Sequence, residues 1–487
     1  MKYDVIIIGS GAGGSAAAYH LTQTGKKVLL LEKGLQLPRD GTTLDTDMVM
    51  RRGAFLSHEK WIDRNGKPLT PEEHFNLGGK TKWYGAALLR FSPKEFDADP
   101  AHRCLGWPIG YADLEPFYAE AEELLGVRVF EPEPDLRRAV AGLKRLDAAW
   151  EEQILTVGLA PDILQYREEA EHFDAFASVR GLKSDAEKCL LDRVRGKSNL
   201  TIATGKPVRK LLAAERAAER LTGVECEDGT RYEADVVMLA AGALHSPRLL
   251  QTYLEDSKLS RTLPAYRNVG RNYKFHVLTA LLALSPRPVT DVLSKTLLLT
   301  HERFPHSTVQ TLGGSLARDI VLTQAPRFAP RMFVEPLARR ALGLFLQTED
   351  GSHPDNRIVA ASDPRARPQI DHDPARLPMA YAEHRKLVRT LSRQLLRLGY
   401  VPVTKAIPPS GTAHVCGTLV TGTDASASVV DPEGRVHGME NLYVVDGSVL
   451  PRSSRVNPAL TIYAWGLRVA SRLAMRSPAR AALARVG

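Results

Sequence analysis

The hydrophobic positions at the start of the chain fall into two short runs that flank a segment of small residues. Residues 4–8 read DVIII and residues 28–31 read VLLL, and apolar runs of this length predict buried strands of a parallel sheet. The segment between them opens with Gly9, Gly11 and Gly14 and continues as a helix-forming run of small residues. This order predicts a strand, a tight turn, a helix and a second strand.

The glycine turn has the spacing G-x-G-x-x-G, and the second strand ends at Glu32. Glycines there allow a tight turn and let a pyrophosphate approach the amino terminus of the helix, while Glu32 can accept hydrogen bonds from an adenosine ribose. The spacing alone is weak, because a glycine-rich turn can also serve packing only. With the strand, the helix and the acid all in place, the segment indicates a dinucleotide site.

From Leu35 to about Arg90 the hydrophobic periodicity weakens, and Gly, Pro and charged residues become frequent. This composition predicts a long excursion over the cofactor. Residues 76–85 read NLGGKTKWYG, in which two glycines precede Thr81 and Trp83. Such a loop suits contact with a flat ring, so we favour flavin contact over the alternative of a turn anchored by its aromatic residues.

Strand patterning returns near Leu200 as short alternating segments, followed by the buried run VVMLAAG at residues 236–242 and then a helix. This arrangement predicts a second crossover of the same nucleotide-binding domain. Val208 could present backbone groups to an adenine, and Gly242 would allow the backbone to approach the cofactor closely.

The rest of the interior is less regular. A helix is predicted over residues 111–126, and the stretch from there to about Asn199 is predicted to be mostly helical and polar. Residues 277–407 contain strand-like polar segments at 333–350 and 356–364 and a long helix over about 378–398. This last block is the candidate substrate domain.

The residues with the clearest chemistry lie near the carboxyl end. His414 supplies an imidazole, which titrates near neutrality and can take the proton of an alcohol. Asn457 could hold the same hydroxyl, and Pro458 at the first helical position would aim free amides at developing negative charge. Between them an apolar strand ends in Asp446 and Gly447 at the expected cofactor edge. The pattern suits oxidation of an alcohol with a bound cofactor as electron acceptor.

Length, composition and charge narrow the class of protein. With 487 residues, 44% hydrophobic and 25% charged, the chain is long enough for two domains and has an ordinary globular composition. A net charge of +9, from 65 basic and 56 acidic residues, indicates a solvated surface rather than a nucleic-acid or membrane patch. Four cysteines without CxxC spacing predict neither disulfides nor a metal site. The absence of a signal peptide or membrane-spanning run predicts a cytoplasmic protein.

Taken together, these motifs resemble those of the glucose-methanol-choline (GMC) family of FAD-dependent oxidoreductases. The resemblance covers most of the chain and rests on the glycine turn with Glu32, the NLGGKT loop, VVMLAAGALHSPRLL, HVCGT, NLYVVDGSVLP and NPALTIYAWGLRVA. It implies that His414 is the active-site base and that Asn457 is its partner. The FAD-contacting residues that we infer from the motifs and the resemblance are Gly9, Gly11, Ala12, Gly13, Gly14, Glu32, Lys33, Gly79, Thr81, Trp83, Val208, Ala241, Gly242, Asp446, Gly447, Asn457, Pro458 and Ala459.

The resemblance also predicts the architecture. The expected fold is α/β, with a Rossmann-like FAD-binding domain and an inserted substrate domain built on a mainly antiparallel sheet with helices. We expect the FAD-binding domain to comprise residues 1–90, 195–275 and 408–487, and the substrate domain to comprise residues 91–194 and 276–407. Because the NLGGKT loop lacks the histidine with which some relatives tether the cofactor, noncovalent FAD is implied.

The expected reaction is oxidation of an alcohol to an aldehyde or ketone by hydride transfer to flavin N5, with reoxidation by oxygen or by an electron carrier. The loop and the polar strands favour a sugar or polyol over sterols or long-chain alcohols. Two alternatives remain open at this point. One is a hydroxynitrile-type lyase with a non-redox FAD, and the other is the catalytic subunit of a membrane-linked sugar dehydrogenase.

Overall fold

The structure is a computed structural model that describes residues 2–215, 217–326, 328–361, 366–411 and 414–475. The strands of this part of the chain are, in order, β1 (Lys2–Ile8), β2 (Val28–Leu31), β3 (Trp61–Asp63), β4 (Pro68–Leu69), β5 (Trp150–Ile154), β6 (Leu200–Ala203), β7 (Val208–Ala214), β8 (Ala217–Cys226), β9 (Arg231–Leu239), β10 (His276–Leu284), β11 (Leu297–His301), β12 (Ser307–Thr311), β13 (Ala341–Glu349), β14 (Arg357–Val359), β15 (Gln369–Asp371), β16 (Val401–Ile407) and β17 (Leu442–Val444).

The α-helices of the same residues are, in chain order, α1 (Ala12–Gln23), α2 (Tyr111–Leu125), α3 (Pro134–Leu146), α4 (Arg167–Glu171), α5 (Gly242–Asp256), α6 (Leu316–Gln324), α7 (Arg331–Ala338), α8 (Pro378–Arg397) and α9 (Ala459–Met475).

The first sheet has the strand order β6-β2-β1-β9-β8-β7, and β17 also pairs with β9. Strands β6, β2, β1, β9 and β17 run parallel to their neighbours, whereas β7 and β8 form an antiparallel extension of β9. Helices α1 and α9 pack against each other on this sheet. The predicted Rossmann-like part of an α/β fold is therefore confirmed.

The second sheet has the order β16-β10-β13-β12-β11-β5, and all of its strand pairs are antiparallel. One face is covered by helices α3 and α8, whose leucines pack on the odd-numbered residues of β10 and the even-numbered residues of β13. Because side chains alternate along a strand, the other face carries His276, Gln347 and Glu349. By the same alternation, the side chain of Gln310 on β12 lies on the other face of the sheet from the buried Val309. The mainly antiparallel sheet predicted for the substrate domain is confirmed.

A third, small sheet has the order β14-β15-β3-β4. Strands β3 and β4 form one hairpin within the long excursion, and β14 and β15 form a second hairpin much later in the chain. The two hairpins make one sheet because β15 runs parallel to β3. The domain boundaries given above stay a prediction.

Local predictions had mixed outcomes. The long helix is confirmed as α8, but the predicted strand over 333–350 is wrong in its first half, where α7 lies. Pro330 directly before that helix explains the start, since proline fixes a backbone angle that suits a helix terminus. The stretch 126–199 is less helical than predicted and includes β5. Residues 362–364 of the other predicted segment lie outside the described residues.

Two further observations concern the whole chain. Among the described residues, no helix combines the length and the apolar character needed to span a bilayer. The four cysteines are all free thiols in buried positions. The cytoplasmic location stays a prediction.

Candidate active site

The glycine turn between β1 and α1 combines two roles. Gly9 has φ of +106°, and a Cβ there would lie 2.3 Å from the carbonyl oxygen of Ala240. A Cβ on Gly13 would lie 1.6 Å from the carbonyl oxygen of Val445, and one on Gly14 would lie 2.0 Å from that of Gly9. These three glycines are therefore required for close packing of the turn on the ends of the neighbouring strands.

Gly11 differs from the other glycines of the turn. A Cβ added there meets nothing within 4 Å, and its φ is −66°, so the open space beside it is not occupied by protein. Gly11 is also the N-cap of α1, and no side chain caps that terminus. Free amides and the helix dipole at this point suit an anionic group. The turn, with Ala12 as the first helical residue, thus fits the diphosphate of a dinucleotide.

Glu32 directly follows β2 beside the turn and is buried. Its carboxylate accepts hydrogen bonds from the Ser10 amide at 3.0 Å, the Ser10 hydroxyl and the Gly34 amide at 2.8 Å. Burial raises the pKa of Glu32, although these donors oppose the shift. The ammonium of Lys33 instead pairs with Glu59 and lies 3.9 Å from the centre of the Phe75 ring.

The loop over residues 76–85 lies against the glycine turn, since a Cβ on Gly79 would lie 3.2 Å from Gly11 Cα. The hydroxyl of Thr81 donates to the Gly78 carbonyl at 2.6 Å. Trp83 stacks on His74 with ring centres 4.6 Å apart and donates to the Asn76 side chain at 2.9 Å. The aromatic anchoring is thus present, and contact of Gly79, Thr81 and Trp83 with a flavin stays a prediction.

The ends of β9 and β17 meet at the same edge of the first sheet. Gly242, with φ of +81°, donates its amide to the Asp446 carboxylate at 2.9 Å, and a Cβ on Gly242 would meet nothing within 4 Å. The other Asp446 oxygen accepts the Ser448 amide at 2.9 Å, and burial raises the pKa of Asp446. Both oxygens of the Asp446 carboxylate therefore accept hydrogen bonds from protein groups. The space at this sheet edge that no protein atom fills lies beside Gly242.

Several other predicted contacts lie around that edge. Ala241 is the N-cap of α5, and Gly447 is buried next to Asp446. Pro458 directly precedes Ala459, the first residue of α9. Val208 begins β7, on the antiparallel extension of the sheet. Their contacts with a cofactor stay predictions.

The structure brings together His414 and Asn457, which are distant in sequence. The Asn457 side-chain nitrogen lies 3.4 Å from His414 Nε2. Its oxygen accepts a hydrogen bond from the Gln310 side chain, which projects from β12 of the antiparallel sheet. With this contact, the nitrogen end of the Asn457 amide faces the imidazole.

A second imidazole, which the sequence did not single out as part of the site, contacts His414 from the other side. His276 Nδ1 lies 2.7 Å from His414 Nδ1, and its Nε2 lies 2.8 Å from the carbonyl oxygen of Ser454. Burial lowers the pKa of His276, and burial together with the adjacent His276 ring and the ammonium groups of Lys295 and Lys80 lowers the pKa of His414 well below its usual value. Both rings are therefore neutral at physiological pH.

Next to these rings, Glu349 of β13 forms a buried ion pair with Arg452, with distances of 2.9 Å to Nε and 2.7 Å to Nη2. This pairing lowers the pKa of Glu349 despite burial. Cys104 and His306 lie close enough to share a metal ion with Glu349. The arginine already occupies both carboxylate oxygens and would repel a cation, so the cluster is an ion-pair network.

An uncapped helix terminus with an acid beside it, together with a histidine near a second sheet, suits an oxidoreductase that uses a dinucleotide cofactor. Comparisons with known proteins agree with this class. The family model described as FAD dependent oxidoreductase matches residues 4–290, and the one described as GMC oxidoreductase matches residues 352–466. The chain belongs to the GMC family, whose members are FAD-dependent alcohol oxidases and dehydrogenases.

Individual relatives support the same assignment. The chain is 30% identical to paromamine 6'-oxidase of Streptomyces fradiae, over 97% of this chain and 91% of that protein. It is 28% identical to 6'''-hydroxyparomomycin C oxidase of Streptomyces lividus, with the same coverage. The crystal structure of pyridoxine 4-oxidase from Mesorbium loti superimposes with a TM-score of 0.71 and 20% identity, covering 98% of this chain and 100% of that one. This last likeness shows the shared fold.

Proposed function

We propose that this protein oxidises a primary or secondary alcohol group of a sugar-like polyol to the aldehyde or ketone, with His414 as the base. The observation that carries the proposal is the contact between His414 Nε2 and the Asn457 side-chain nitrogen in a partly buried, polar setting. A neutral imidazole with a free lone pair can take a hydroxyl proton, and a neighbouring amide can orient the same oxygen.

Each residue of the site has its own role in the proposed reaction. His414 takes the hydroxyl proton at Nε2, while the Asn457 amide holds the alcohol oxygen through its nitrogen. Gln310 keeps that amide in the required orientation by donating to its oxygen. FAD bound at the glycine turn would accept the hydride from the carbinol carbon.

We propose that FAD is held noncovalently by Gly11, Ala12, Glu32 and Gly242. Three observations support this assignment: the open space at Gly11, the uncapped start of α1 and the buried acid at the end of β2. Acid or heat denaturation followed by filtration should release all of the yellow colour into the filtrate. Colour that stayed with the precipitate would rule out noncovalent binding.

For the substrate, we propose an aminated sugar bearing a free hydroxymethyl or ring hydroxyl group. The names of the two Streptomyces relatives indicate aminoglycoside substrates. The site itself is polar, because the side chains of His414, Asn457 and Gln310 lie in contact there.

The decisive experiment is anaerobic titration of the holoenzyme while the flavin absorbance is followed. An amino sugar with a hydroxyl at carbon 6 should bleach the flavin, and the 6-deoxy analogue is the matched control. Turnover of a cyanohydrin without bleaching would favour lyase chemistry and would contradict the proposal. After bleaching, admission of air or of a dye identifies oxygen or an electron carrier as the acceptor.

A further inference from the structure

The carbonyl of Ser454, His276 and His414 form a chain of hydrogen bonds that ends at the alcohol site. We propose that His276 is a positioning residue that holds His414 in the tautomer protonated at Nδ1, leaving Nε2 free to act as the base. The proposal rests on the proposed function, in which Nε2 of His414 takes the substrate proton. It assigns a role to a histidine that makes no contact with Asn457.

The positions of the protons on the two rings follow from the Ser454 end of the hydrogen-bond chain. A carbonyl oxygen can only accept a hydrogen bond, so His276 Nε2, 2.8 Å away, carries a proton. A neutral imidazole has one proton, and His276 Nδ1 is therefore an acceptor. His414 Nδ1, 2.7 Å from it, must then be the donor. Nε2 of His414 is left with a lone pair on the side where Asn457 lies.

The opposite end of the hydrogen-bond chain is compatible with the same protonation state. Gln310 donates to the Asn457 oxygen, which turns the Asn457 nitrogen and its protons toward His414 Nε2. A nitrogen with protons would conflict with a protonated Nε2 but matches a lone pair. The contact from β12 thus matches the tautomer of His414 that the Ser454 carbonyl requires.

The Ser454 carbonyl is itself held rigidly. Ser454 has φ of +65°, which a residue with a side chain rarely adopts. Its amide donates to Glu349 at 3.0 Å, and its hydroxyl donates to Glu95. Glu349 is fixed in turn by Arg452. A backbone conformation of this kind persists only where surrounding contacts determine it, and such positions concentrate at functional sites.

The proposed positioning role requires that His276 is neutral. A doubly protonated His276 would donate from both nitrogens, which would force His414 to accept at Nδ1 and carry its proton at Nε2. That form of His414 could not take a proton from the alcohol. Burial disfavours the charged form of His276 and outweighs the nearby carboxylates of Glu349 and Glu95, which favour that form. The deep position of His276 at the start of β10 therefore protects the base form.

The first test reads the tautomer directly. Histidine-specific ¹⁵N labelling of the holoenzyme, with long-range ¹H–¹⁵N correlation, distinguishes a protonated Nδ1 from a protonated Nε2. The signals of His414 are assigned by their loss in His414→Asn. We expect a protonated Nδ1 and a bare Nε2 in the wild-type protein. A wild-type His414 protonated at Nε2 would overturn the proposal whatever the activity.

The second test uses matched variants of His276. His276→Phe keeps the ring shape but removes the acceptor, whereas His276→Asn keeps an acceptor oxygen near the Nδ1 position. We expect His276→Phe to release His414 toward the Nε2–H tautomer and to slow anaerobic flavin reduction by on the order of a hundredfold, as expected when a base has the wrong tautomer. His276→Asn should restore most of the rate and the Nδ1–H signal. FAD content and substrate affinity should change little.

A third variant controls for the loss of a buried imidazole. His372 is buried next to Phe275 and makes no hydrogen bond with His414, so His372→Phe should leave both the tautomer and the rate unchanged. Unchanged tautomer and rate in His276→Phe would contradict the positioning role. Failure of the proposed function is distinguishable, because His414→Ala would then reduce its flavin at the wild-type rate while the tautomer measurement still stands.

Discussion

The side-chain nitrogen of Asn457 lies 3.4 Å from Nε2 of His414, and the two residues belong to different elements of the fold. His414 lies in the segment after β16 of the antiparallel sheet, whereas Asn457 lies just before α9, which packs on the parallel sheet. The fold therefore brings together two segments whose contacting residues lie 43 positions apart in the sequence.

The first prediction separates the roles of the pair. His414→Ala should slow anaerobic flavin reduction by on the order of a hundredfold or more, because the general base is lost. Asn457→Ala should cost about 1–3 kcal/mol of transition-state stabilisation, the scale of one lost hydrogen-bond partner in a buried site. Stopped-flow absorbance of the flavin gives both rates, and FAD content should stay constant. A wild-type rate in His414→Ala would require a different base.

The second prediction concerns the glycine turn and separates cofactor binding from folding. Gly11→Val should give a folded protein without bound FAD, because its side chain would enter space that no protein atom occupies. Gly13→Ala should instead destabilise the fold, since its Cβ would lie 1.6 Å from the Val445 carbonyl oxygen. Flavin absorbance and circular dichroism of each variant distinguish the two effects.

Gly196→Val is the matched control for Gly11→Val. A Cβ on Gly196 also meets nothing within 4 Å, but this glycine lies on the surface and away from the turn. It should keep its full complement of FAD. Retention of FAD by Gly11→Val would show that the cofactor does not approach the turn.

Parts of the site could be predicted from the sequence, because the residues that form them lie close together along the chain. The turn from Gly9 to Gly14 and the acid at Glu32 have fixed spacings, so the strand, the helix and the sheet edge could be predicted together. The contacts of His276 and Gln310 could not, because each contact joins a strand to a residue more than a hundred positions away in the sequence, 138 for His276 with His414 and 147 for Gln310 with Asn457. Only the pairing of β10, β12 and β13 brings these two side chains to Ser454 and Asn457.

The third prediction is the pH dependence of flavin reduction. An unperturbed imidazole would place the inflection near neutrality, but burial and nearby positive charges lower the pKa of His414. The unprotonated form required for catalysis therefore persists to lower pH. The rate should stay constant through neutrality and fall only well below pH about 6.5, the ordinary histidine value. An inflection at or above that pH, absent in His414→Ala, would contradict the buried, neutral base.

The fourth prediction is a stability effect far from the pair. His384 of α8 is buried, and its ring nitrogens lie 2.8 Å from the hydroxyls of Thr279 and Thr348. Burial lowers the pKa of His384 to about 4 in the folded protein, whereas the unfolded chain should have the ordinary value of about 6.5. Between these values the unfolded state binds the extra proton, so the free energy of unfolding must fall as the pH is lowered.

The lowered pKa of His384 corresponds to roughly 3 kcal/mol in the free energy of unfolding. The folded protein has this stability in full above pH about 6.5 and loses it as the pH approaches about 4. His384→Gln keeps hydrogen-bonding groups for both threonines but cannot take up a proton. Urea unfolding of the two proteins across this range should therefore show a steeper loss of stability in the wild type, although the variant starts lower near neutral pH because its packing is altered. Parallel pH profiles would show that His384 takes up no extra proton on unfolding.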